Sequence, residues 1–185
     1  MDRKIAWNLL NEYVESESLI KHSLAVEASM IAYAKKFDKD VEKWSICGLL
    51  HDIDFEKYPE QHPNKGVEIL REKGYPEDLV MAVKGHADMN TKRETLMAKT
   101  LYAVDELSSF IVACALVRPT KLEGMKPKSV KKKFKAKSFA QAVNRDQIKN
   151  SAKDLGVEMN EHLKTVIEGL QNREEELKQE DLSLL

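Results

Sequence analysis

Cysteine is nearly absent from this 185-residue chain, which has only Cys47 and Cys114, each inside an apolar stretch. Two isolated thiols exclude a disulfide framework and a structural zinc site of the cysteine type, both of which need several cysteines at ligand spacing. Glycine (7) and proline (5) are sparse as well, and strand-like alternation is hard to find, which argues against a sheet-based fold. Long apolar runs are missing: the longest, FIVACALV at 110–117, is far shorter than the roughly 20 residues of a bilayer-spanning helix. The start, MDRKIAW, has no basic-then-apolar leader, so a cytoplasmic protein with no membrane partner is expected. A strong excess of either charge is also lacking. The net charge of −1 gives no global attraction for nucleic acid, which ranks low as a partner, and any anion affinity must be local. A small molecule is the expected partner, and the oligomeric state is left open.

Apolar residues recur instead at steps of three and four almost everywhere, which predicts an all-α fold. Helices are expected near 3–14, 18–37, 41–52, 63–73, 77–87, 93–117, 129–135, 138–154 and 157–180. Breaks have local causes, such as the Gly and Pro of KGYPED at 73–78. The length suits one domain, 1–185, with a core at 18–117 and a basic, helical extension at 126–185 packed on it.

Several polar residues fall where the core should be. His22 lies on the stripe Leu19, Val26, Met30, Tyr33 of its helix, and His51 follows Trp44 and Cys47, with Asp52 next to it. His86 follows Leu79 and Val83 in the same way, and Asp105 stands four residues after Leu101. A lone inward histidine is usually a core residue with one hydrogen bond. A carboxylate is harder to bury, because an isolated charge there costs several kcal/mol. Two carboxylates with three or four imidazoles and no evident buried Lys or Arg ask for a cation. Imidazole with carboxylate suits a divalent transition metal, iron or manganese first, with zinc, nickel, cobalt or magnesium as further candidates. Asp52 is the candidate bridging ligand. His62 and His86 are the candidates for a second ion, and His162, on a charged helix, is read as solvated.

With these residues placed, the sequence resembles the HD-domain metal-dependent phosphohydrolase superfamily. His22 in IKHSLAVE, His51-Asp52 in GLLHDID and Asp105 in YAVDEL match its H…HD…D set over roughly 18–117. In dinuclear members two further histidines lie between the HD pair and the last Asp, where His62 and His86 stand. The resemblance therefore implies two metal ions, water as nucleophile and a phosphorylated substrate, a nucleotide or another phosphoester. The tripeptide GYP at 74–76 precedes His86 and is read as helix punctuation. The ligand order also resembles diiron oxygenases of the inositol-oxygenase kind, and a non-catalytic module that binds metal or nucleotide is the third alternative.

Asp52 is the expected catalytic centre, with Lys65 and Lys84 as candidates to approach the substrate phosphate. The segment GMKPKSVKKKFKAKSFAQAVNRDQI, 124–148, is the other unusual feature. Ser129 is expected to cap its short helix, and Phe134, Phe139 and Val143 to anchor it. Its lysines form a solvated face balanced by the acidic tail or, with Arg145, close over the metal site.

Overall fold

The computed structural model describes residues 1–88 and 90–185. Among them are nine α-helices and no strand: α1 (Arg3–Tyr13), α2 (Glu17–Lys36), α3 (Val41–Leu50), α4 (Asn64–Glu72), α5 (Glu77–Ala87), α6 (Leu96–Leu116), α7 (Pro127–Phe134), α8 (Arg145–Asp154) and α9 (Met159–Leu177). Short 3-10 turns at Pro59–Gln61 and Lys178–Glu180 complete the described order. The all-α expectation holds.

Side-chain caps start several of these helices. Asp2, Asp40, Thr95, Asn144 and Glu158 each accept hydrogen bonds from first-turn N–H groups that have no intrahelical partner. Helix α2 is the axis of the molecule and packs against α3, α6 and α9. The α2–α3 approach depends on Gly48: a Cβ there would lie 2.9 Å from the Glu27 Cα, too near for any side chain. The two helices can thus sit backbone to backbone, and this brings the end of α3 beside the first turns of α2. Met30, Leu49, Leu50, Leu101, Phe110 and Leu170 are among the fully buried side chains of one continuous core.

The back part departs from expectation in two places. Residues 138–144 are turns, and α8 starts only at Arg145. Ala140 has φ 44°, and the Arg145 guanidinium collects the carbonyls of Phe134, Ala136, Phe139, Ala140 and Val143. Those carbonyls bond to a side chain rather than to a continuing helix. Helix α7 begins at Pro127 after Lys126, with no side-chain cap, so Ser129 is inside the helix rather than at its start. A proline needs no N–H at that position. Phe134 and Phe139 do anchor the segment, each meeting the Phe110 ring edge to face, with centroids 5.2 and 5.8 Å away.

Candidate metal centre

Five segments converge on one polar interior. His22 comes from the second turn of α2, His51 and Asp52 from the end of α3, His62 from the residue after the 3-10 turn, His86 from the last turn of α5 and Asp105 from the middle of α6. Asp52 stands between the histidines. Its Oδ2 lies 3.3 Å from His51 Nε2 and 3.5 Å from His22 Nε2. Its Oδ1 lies 3.0 Å from His86 Nε2 and 3.6 Å from His62 Nε2. One carboxylate thus addresses two histidine pairs, one with each oxygen. Asp105 Oδ1 closes the first pair, 3.2 Å from His22 Nε2 and 3.7 Å from His51 Nε2.

The opposite ring nitrogens are all held from behind. His51 Nδ1 donates to the Gly48 carbonyl at 2.8 Å and His86 Nδ1 to the Val83 carbonyl at 2.5 Å. His62 Nδ1 is 2.7 Å from Asp54 Oδ1, and His22 Nδ1 is 3.0 Å from Ser109 Oγ. Asp54 is fully buried and its Oδ2 accepts the Gly66 N–H at 2.7 Å. A Cβ on Gly66 would lie 3.0 Å from Asp54 Oδ1, so any larger residue would press on that carboxylate. Such outer hydrogen bonds fix the tautomer and leave Nε2 as the free ligand atom.

The electrostatics follow from that wiring. With Nδ1–H committed to carbonyls, a neutral His51 or His86 turns an Nε2 lone pair toward carboxylate oxygens, acceptor against acceptor. The interior therefore demands positive charge. Burial alone would lower the pKa of His51, but Asp52 and Asp105 overcome it and hold the imidazole well above its usual value. Burial likewise opposes the ionised forms of Asp52 and Asp105, yet the facing histidines hold both carboxyls well below the usual carboxylate range. A divalent cation meets the same demand with the lone pairs themselves. Two donor groups are compact enough, His22–His51–Asp105 and His51–Asp52–His86, with ligand atoms within 4.8 Å of one another in each. His62 lies outside these two groups and reaches the cluster through Asp52. His51 is fully buried, whereas the side chains of His22 and Asp105 keep 19% of their exposure, so the cluster has an open face.

Other expected residues lie elsewhere. Lys65 donates to Glu68 at 2.8 Å and covers the Tyr58 ring, and Lys84 lies 4.0 Å from Asp88. Their described partners are surface groups rather than cluster residues. Arg145 is engaged with backbone carbonyls and is not free to close over the centre. His162 is fully buried, not solvated. Its Nε2 donates to the Ala103 carbonyl at 3.1 Å and its Nδ1 accepts from the Tyr33 hydroxyl at 2.5 Å. Burial pushes its pKa down to about 4, which keeps it neutral. The sequence reading missed Asp54, Ser109 and Arg93. Arg93 donates to the Gly85 carbonyl at 2.9 Å and stacks over the Tyr102 ring, tying the loop after α5 to α6.

Fold and cluster together define an all-helical protein with a buried His/Asp centre suited to divalent metal. The HD domain family model matches residues 19–109, a span that holds all six converging side chains, and this match supports a place for the chain in the HD-domain metal-dependent phosphohydrolase superfamily. Among curated proteins, an uncharacterized protein of Methanocaldococcus jannaschii is 34% identical over 85 residues, 43% of this chain and 50% of that protein. A tRNA (cytidine(56)-2'-O)-methyltransferase of Thermoplasma volcanium is 29% identical over 119 residues, 62% of this chain and 35% of that enzyme. The chain thus matches only half of the length of the first relative and about a third of the second. No solved structure matches it significantly.

Proposed function

We propose that this chain is a two-metal phosphohydrolase acting on a small phosphorylated substrate, with Asp52 bridging the two sites. The observation that supports it most is the division of the Asp52 oxygens, Oδ2 toward His22 and His51, Oδ1 toward His62 and His86. In this reading His22, His51 and Asp105 would hold one ion and His62 and His86 the other. Bound there, divalent ions would supply a water of near-neutral pKa and charge neutralisation at a phosphoryl oxygen. The chain's own part is to hold every Nδ1 and so aim every Nε2 at the centre, through the Gly48 and Val83 carbonyls, Asp54 and Ser109. The open face at His22 and Asp105 admits the phosphate. For Lys65 or Lys84 to join it, each must leave the carboxylate beside it.

Elemental analysis of protein purified without chelators, followed by phosphoester turnover with and without oxygen, tests the proposal. Two iron or manganese ions per chain with oxygen-independent hydrolysis are expected. Turnover that requires dioxygen would assign the centre to oxygenase chemistry instead, and saturable ligand binding with no product under any metal would leave a binding module.

A further inference from the structure

The largest concentration of unshared charge lies on α7 and the residues that follow it. Seven lysines stand between Lys126 and Lys137 in a chain of net charge −1, and among the described residues none of the seven has a carboxylate partner, unlike Lys65, Lys149 or Lys178. The acidic tail does not balance them. Glu176 and Glu180 face Arg173, Glu175 faces Lys178, and Glu174 accepts from Ser183 and Leu184.

Two clefts run along this face and share Ser129 and Lys132. One, of about 570 Å³, is lined by lysines that include Lys126, Lys128, Lys131 and Lys135. The other, of about 390 Å³, holds Arg118 and Lys133 beside Cys114. No carboxylate lines either. Arg118 adds an independent sign of a missing anion. Its Nη2 donates to Thr120 Oγ1 and the Glu123 carbonyl, both at 3.0 Å, while its Nη1 is buried without a hydrogen-bond partner. An orphaned guanidinium N–H in a cationic cleft lacks an acceptor. The field is felt at Cys114, where burial pushes the thiol up to about 11 while Lys133, Arg145 and Arg118 pull the other way.

The apolar side of α7 narrows the choice of partner. Val130 is buried and Phe134 packs on Phe110, so α7 presents no apolar anchor for a bilayer, and exposed lysines are depleted from protein–protein interface cores. A single phosphate would occupy one cleft only. Lysines one helical turn apart along two joined clefts suit a chain of phosphates, and with Phe134 and Phe139 turned inward no aromatic ring is offered to bases. The net charge of the whole protein does not oppose this, because screening confines the interaction to about 10 Å at 0.1 M salt. We propose that α7 and the Arg118 cleft bind the phosphodiester backbone of a duplex nucleic acid without reading its bases. The inference does not rest on the metal-centre reading.

Binding of labelled duplex RNA and duplex DNA to the full chain, followed by anisotropy as salt rises from about 50 to 200 mM, provides the test. Affinity should fall log-linearly with salt. The triple variant Lys128→Glu, Lys132→Glu, Lys135→Glu should bind at least about tenfold more weakly, with a slope shallower by roughly 0.9 per lost phosphate contact. Arg118→Ala should weaken binding with a smaller change in slope. Preference for one duplex would identify the source, and equal binding would mark backbone recognition alone. Circular dichroism and metal content should match the parent; if the glutamates unfold α7, the Lys→Gln triple replaces them. Absence of binding at the lowest salt, undiminished binding by the triple variant, or binding to anionic vesicles only would overturn the proposal.

Discussion

Two of the buried polar clusters on helix α2, at Glu27 and at His22, are wired in opposite senses. At Glu27, donors are plentiful: Arg3 offers Nε at 2.5 Å and Nη2 at 2.8 Å, Ser45 Oγ donates at 2.6 Å, and Arg173 Nη2 stands 3.7 Å away. Arg173 even has buried N–H groups left over. Five residues earlier, at His22, acceptors are in excess, with imidazole lone pairs and carboxylate oxygens facing one another. Both clusters interrupt apolar stripes and both bury ionised side chains. A cluster whose donors cover its carboxylate is complete as protein, whereas one with surplus acceptors calls for a cation from outside.

Removing the central acid should separate the two most sharply. Asp52→Ala takes away the oxygens that serve both histidine pairs, so metal content should fall to near zero and turnover with it, while the circular dichroism spectrum stays helical. Full metal occupancy in that variant would sink the bridging role. Glu27→Ala should do the reverse: it strands the mostly buried Arg173 and should cost about 3–5 kcal/mol, as breaking a buried ion pair does. Urea unfolding measures that loss, and the chains still folded should carry metal as before.

A third buried group, His162, sharpens the comparison through pH. Its pKa drops on folding, from 6.5 to about 4, so the folded form binds fewer protons than the unfolded one. The stability tied to this neutral imidazole is therefore complete above pH 6.5 and is lost as pH falls toward 4, about 3 kcal/mol in all. Unfolding midpoints of the parent and His162→Gln should converge over that window. A constant gap between them would mean that His162 does not stay neutral in the fold.

What could be read from the sequence follows the same division. His22, His51, His86 and Asp105 sit in helices, where steps of three and four give every side chain a direction, so their convergence was legible. His162 was misread although the signal was present, since it precedes Val166 and Leu170 by four and eight residues on the stripe that α9 buries. The charged neighbours Glu161 and Lys164 drew the reading outward. The linear pattern extends the helix over residues 138–144 because nothing in it shows that Arg145 will take up carbonyls of that stretch. Asp54 was missed for a related reason. It lies in the turns after α3, where no period assigns a face.

Asp54 offers the finest cut, because it acts on one histidine only. Its carboxylate fixes the His62 Nδ1–H and is itself fixed by the Gly66 N–H. Asp54→Asn keeps the shape and removes the charge behind His62, so affinity for the second ion should fall about 10–100-fold, as loss of an outer-shell partner does. Gly66→Ala should act in the same direction by pushing Asp54 aside, since the added carbon would meet Oδ1 at 3.0 Å. Calorimetric metal titration should then show one site unchanged and one weakened. Equal weakening of both would mean that His62 supports the cluster as a whole, and no weakening would remove His62 from the ligand set.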